Sequence, residues 1–125
     1  MRSLTSSQLV EQARIIGSST AAAFADQVDS DARFPSESVA ELKNHHLLSC
    51  YVPKELGGQG ATLTELAFMC EELGKHCGAT AMVFAMHQIQ VACLVHHSLS
   101  DKFFSNYLAE LTKNEHLIGS VTSEV

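Results

Sequence analysis

Residues 62–95 read TLTELAFMCEELGKHCGATAMVFAMHQIQVACLV, and two different helical signatures lie in that run. Thr62 stands three residues before Glu65, the spacing at which the two side chains cap each other's backbone N–H groups. Leu63, Leu66, Ala67, Cys70 and Leu73 then recur at steps of three and four. They predict the inner stripe of a helix that ends at Gly74 or Gly78, with Glu65, Glu71 and Glu72 off the stripe. Phe68 and Met69 widen the apolar surface and predict burial on more than one side. From about Ala79 to Val95 the segment is apolar nearly all round, which predicts the most enclosed helix of the fold. No Asp, Glu, Lys or Arg occurs between Lys75 and Asp101, but Thr80, His87, Gln88, Gln90, His96 and His97 interrupt the stretch. A membrane span needs about 20 mostly apolar residues, so the expectation is a core helix and no membrane.

Helical periodicity continues on both sides. A first helix is predicted over about Ser6–Val28, with Leu9, Ala13, Ile16, Thr20, Ala23 and Phe24 facing inward and Gly17 as a slight weak point. Asp29, Ser30, Asp31 and Pro35 end it. A second helix starts at Pro35 or Ser36 and carries Val39, Leu42, His46 and Leu47. A fifth covers about Asp101–Leu111, with Phe103, Phe104, Tyr107 and Leu108. The closing residues HLIGSVTSEV turn β-branched and read as a strand, although no other segment alternates with period two. The expected fold is all-α: an up-down helical bundle of about five helices over residues 1–116. Residues 117–125 form a strand-like tail, read as the first strand of a second, β-rich domain.

At 125 residues and 46% hydrophobic content the chain can enclose a core, while 18% charged residues leave much of its surface neutral. The net charge of −6 with scattered Lys and Arg argues against nucleic acid and anionic membranes. Cys50, Cys70, Cys77 and Cys93 form no CxxC pair and read as reduced thiols of a cytoplasmic protein. The first residues hold no signal-peptide core.

Candidate chemistry is sparse. YVPKELGGQG, residues 51–60, has the glycine density of a phosphate loop, but Ala61 follows Gly60 where a P-loop needs Lys. Leu63 stands where a dinucleotide fingerprint needs its third glycine, so a tight inter-helix turn is expected. The adjacent pairs His45–His46 and His96–His97 cannot converge on one metal from a helix. Cys93 with His96 supplies two ligands, too few for a zinc site. His87 sits in the most apolar helix and needs a partner: a structural hydrogen bond is expected, with pocket lining left open. No GxSxG elbow occurs, and Glu71 and Glu72 diverge around their helix, so no catalytic residue is assigned.

The order of these motifs resembles the N-terminal helical domain of flavin-dependent acyl-CoA dehydrogenases. The resemblance covers roughly residues 30–125 and rests on Phe34-Pro35, on Pro53 leading to Gly57-Gly58-x-Gly60, on Glu71-Glu72-Leu73-Gly74, and on the apolar helix that follows. It implies FAD as cofactor, an acyl-CoA thioester as substrate of α,β-desaturation, an electron-transferring flavoprotein as partner, and a homo-oligomer at full length. It also implies that GSVTSEV is the first strand of the family's middle β-domain, with Ser120, Thr122 and Ser123 beside the flavin ring; Val125 departs from the usual Pro. The catalytic Glu and most of the flavin site would lie beyond Val125, leaving this chain alone inactive. Met82, Ala85, Met86 and Ile89, at helical spacing, are the expected wall of the acyl-chain pocket, with core packing the competing role. Two further readings stand beside this one: a related flavin-dependent monooxygenase or nitroalkane oxidase, and a non-catalytic helical interaction module.

Overall fold

The structure, a computed structural model, describes residues 6–121. Helix α1 (Ser6–Ile16) runs through a π-helical turn (Gly17–Ala21) into α2 (Ala22–Ser30) without leaving helical backbone angles. Then follow α3 (Ser36–Asn44), a 3-10 turn (Lys54–Leu56), α4 (Leu63–Gly74), α5 (Gly78–His97) and α6 (Lys102–Asn114). With α1 and α2 counted as one rod, five helices result, and no strand occurs among the described residues. Residues 117–121 carry no regular structure.

The mutual cap forms as the spacing predicts. Thr62 Oγ1 accepts from the Glu65 N–H at 3.1 Å, and Glu65 Oε1 accepts from the Thr62 N–H at 3.2 Å. Helix α4 packs between α1 and α5. Three residues join α4 to α5, a connection short enough to make them antiparallel neighbours. The core joins Leu9, Ala13 and Ile16 of α1, Leu42 of α3, Leu66, Met69 and Leu73 of α4, Phe84 and Val91 of α5, and Leu108 and Leu111 of α6.

Four expectations are corrected. In the first rod the fully buried positions past Gly17 are Ala21 and then Val28, while Thr20 and Phe24 are half-buried and Ala23 is exposed. The Ala22 N–H reaches back five residues to the Gly17 carbonyl, so one extra residue enters that turn and rotates everything after it. Gly17 is more than a weak point: an added Cβ would stand 2.8 Å from the Glu72 carbonyl oxygen, so it lets α1 approach α4 closely. In α4, Leu63 and Phe68 face solvent, while Met69 is fully buried. Helix α5 is not enclosed all round. Phe84, His87, Gln88 and Val91 are buried, whereas Met82, Met86, Ile89 and Cys93 face outward, because only one side meets its neighbours. Among the described residues it is the one helix long and apolar enough to cross a membrane by length and composition.

The glycine loop is a turn. Gly57 and Gly60 have φ of 98° and 65°, and a Cβ on Gly58 would lie 2.0 Å from the Val52 carbonyl oxygen. The Gly60 N–H donates to the Val52 carbonyl and the Ala61 N–H to the Cys50 carbonyl, which folds the loop onto its own start.

Candidate functional site

Two features of α5 bear on function, one on each side. On the buried side, His87 and Gln88 hold the segment that follows α3. His87 Nε2 lies 2.7 Å from the Leu48 carbonyl oxygen, and the Ile118 N–H donates to His87 Nδ1 at 3.0 Å. An acceptor at Nδ1 leaves the proton on Nε2, so the ring is the neutral Nε2–H tautomer. Burial holds its pKa below the usual histidine range, with the Leu48 carbonyl pulling the other way. Gln88 Nε2 donates to the carbonyls of Leu47 and Leu48, at 3.0 and 3.3 Å. The structural bond expected of His87 is present.

Glu115 completes the arrangement. It ends α6 in the left-handed conformation, φ 50° and ψ 53°. Its Oε1 accepts from the N–H groups of Leu48 and Ser49 at 3.1 and 3.3 Å, and its Oε2 accepts from the Ser49 hydroxyl. His46 Nδ1 stands 3.7 Å from Oε2. Burial pushes the Glu115 pKa up, against the Ser49 hydroxyl, His46 and the two backbone N–H groups, which lower it. Sequence reasoning passed over Glu115, since an acidic residue at a helix end looks like surface. The signal lay in the pairing of a buried loop rich in backbone donors with a carboxylate 66 residues on, which no local pattern reveals.

The residues expected to wall an acyl chain lie on the outer side of α5. Met82 is 62% exposed, Ile89 51% and Met86 41%, and Ala85 is half-buried between them. Ala85 and Ile89 also border a groove of about 170 Å³ between α4 and α5, lined by Leu63, Leu66, Ala67, Cys70, Gln88 and Ala92 and free of exposed polar surface. A wider hollow of about 560 Å³ with a mixed lining lies between the end of α2 and the α4–α5 turn; Arg33 there is paired with Glu37 at 2.9 Å. Elsewhere on α5, the Tyr51 hydroxyl and His96 Nε2 lie 2.6 Å apart. All four thiols are free, and burial drives the Cys50 thiol pKa up.

Of the residues expected beside a flavin, Ser120 lies at the exposed end of the segment after Ile118, and Thr122 and Ser123 lie outside the described residues. Ser120 presents a hydroxyl there, the kind of group that can bond the edge of a flavin ring. Nothing else among the described residues forms a cradle for a dinucleotide.

Residues 4–115 match the family model for the N-terminal domain of acyl-CoA dehydrogenases. The chain is 30% identical over 91 residues to a short-chain specific acyl-CoA dehydrogenase of Clostridium acetobutylicum, a match covering 73% of this chain and 24% of that one. It is 29% identical over 93 residues to an NADH-dependent acryloyl-CoA reductase of Anaerotignum propionicum, covering 74% and 23%. It is 35% identical over 85 residues to a cyclohex-1-ene-1-carbonyl-CoA dehydrogenase of Syntrophus aciditrophicus, covering 66% and 20%. The chain thus spans about a quarter or less of these curated relatives. No solved structure matches it significantly. With the family model spanning nearly the whole bundle, the chain belongs to the acyl-CoA dehydrogenase family, as its all-α N-terminal domain.

Proposed function

We propose that this bundle is the N-terminal helical part of an FAD-dependent enzyme that desaturates an acyl-CoA thioester, and that the outer face of α5 walls the acyl chain. The observation that carries the reading is the uncovered row Met82, Ala85, Met86 and Ile89 beside a purely apolar groove. Such a face gains by burial against an alkyl chain, at roughly 0.8 kcal/mol per methylene. It offers no charge to hold a CoA phosphate, so the tail end of the substrate is the part it suits. Three of the relatives are named for CoA thioesters, which supports the substrate class.

FAD, when bound, supplies the hydride acceptor. Glu71 is exposed and Glu72 pairs with Lys75 at 2.8 Å, so neither is assigned the proton transfer of that step. The chain's own work is to exclude water from the alkyl tail of the substrate and, through Ser120, Thr122 and Ser123, to bring a chain segment to the flavin edge. The catalytic carboxylate and an electron-transferring flavoprotein or other electron partner are assigned to the rest of a longer, oligomeric protein. The named reductase among the relatives favours a second reading, in which the same wall serves the reverse reaction on an enoyl-CoA.

The test is the reading frame around this chain and the protein it encodes. Anaerobic titration with saturated acyl-CoA esters of graded length is expected to bleach the flavin. Replacing Ala85 by Phe is expected to cut kcat/KM at least about tenfold for long chains and little for short ones. A frame without a β-rich domain, or a flavin indifferent to acyl-CoA, overturns the reading.

A further inference from the structure

The buried side of α5 carries a second kind of site. Leu48 is gripped at both backbone groups: its N–H by Glu115, and its carbonyl by His87 and Gln88. His87 and Glu115 bracket the point at which the chain leaves the bundle. Glu115 is the residue after α6, and Ile118, three residues on, is bonded to the His87 ring. Among the described residues no strand pairs with the segment 116–121, and the Ile118 N–H bond to His87 is what ties it down.

We propose that His87 and Glu115 are positioning residues, which set the place and direction in which residues after Ile118 leave the helical domain by tying Glu115 and Ile118 to one fixed loop. His87 can do this in one proton state only. The neutral Nε2–H tautomer donates to Leu48 and accepts from Ile118; the other neutral tautomer would aim N–H at N–H and carbonyl at lone pair, losing both bonds. Glu115 adopts a left-handed backbone that glycine or asparagine takes more readily, a local cost that persists because the carboxylate satisfies two buried N–H groups and a hydroxyl. That the departing segment heads for a flavin rests on the function proposed above; the tethering itself does not.

Amide hydrogen exchange and imidazole ¹⁵N spectra of the 125-residue chain test it. Three variants separate the two bonds. In His87→Asn the side-chain oxygen replaces Nδ1 and still accepts from Ile118. In His87→Gln the amide nitrogen replaces Nε2 and reaches only Leu48. His87→Ala keeps neither. The ring is expected to show a bare Nδ1 and a protonated Nε2. Exchange at Ile118 is expected to quicken about five- to tenfold in His87→Gln and His87→Ala, and to stay near the parent rate in His87→Asn. Core amides of α4 report global stability and correct for it. An Nδ1–H tautomer overturns the proposal. So does an Ile118 amide that changes equally in all three variants or in none. A chain that fails to bind flavin in any longer form would sink the functional reading and leave these rates untouched.

Discussion

At Leu48 the side chain is apolar and buried, yet the backbone does the connecting, and its partners titrate in opposite directions. His87 is held neutral, with its folded pKa below that of the unfolded chain. As pH falls below about 6.5, the unfolded chain takes a proton that the folded one refuses, and stability drops until the folded pKa is reached. Glu115 behaves oppositely, because burial raises its folded pKa. Its contribution is full below the unfolded carboxylate pKa and is lost as pH rises through the folded value. Urea unfolding at pH 7.5 and 5.5 separates the two. His87→Asn is expected to lose less stability on acidification than the parent. Glu115→Gln is expected to lose at least as much as the parent, since its offsetting proton uptake is gone. Equal acid sensitivity in parent and His87→Asn would show that the ring is not held neutral by the fold.

Helix ends and the π turn decide what was legible at the scale of elements. The Thr62–Glu65 cap, the Ser36 start after Pro35 and the glycine turn were readable because each is fixed by residues within a few positions. The π turn was not, since Gly17–Ala21 contains nothing that forbids an ordinary helix; the extra residue answers to the packing of α1 on α4. One missed turn was enough to move the fully buried position from Thr20 to Ala21. Two substitutions expose this logic. Ala32 lies just past α2 with φ 49°, and the Arg33 N–H closes the turn on the Val28 carbonyl at 3.1 Å. Ala32→Gly removes a left-handed penalty of about 1–2 kcal/mol against about 0.4–1 kcal/mol of added unfolded-state freedom. A gain of about 0.5–1 kcal/mol in thermal or urea unfolding is expected. Gly17→Ala should do the reverse. Its Cβ meets the Glu72 carbonyl oxygen, and crowding of this kind outweighs the helix propensity gained, for a loss of about 1–2 kcal/mol. A stabilised Gly17→Ala protein would mean that α1 and α4 are not in close contact there.

Over the whole molecule, the hydrophobic content that predicted a core goes with a charge-poor composition that predicted neutral surface, and apolar surface is left uncovered. Sequence alone placed Met82, Ala85, Met86 and Ile89 on one face of α5 but could not tell whether that face looked inward, because a helix apolar all round has no contrast to orient it. The structure turns the row outward and continues it onto α4 through Leu63, which is 62% exposed and borders the same groove as Ala85 and Ile89. A monomer seldom leaves such a strip open, and in the proposed enzyme the remaining three quarters of the protein and the substrate would cover it. The 125-residue chain by itself has only another copy to offer. It is expected to self-associate at tens of micromolar and to bind a hydrophobic dye. Met82→Lys combined with Ile89→Glu should make it monomeric and dye-silent, with helicity by circular dichroism unchanged, since both side chains stand clear of the core. Sedimentation of parent and double variant decides the matter. A parent chain that stays monomeric and ignores the dye would mean that the outer face of α5 is content in water, and the acyl-chain wall would lose its main support.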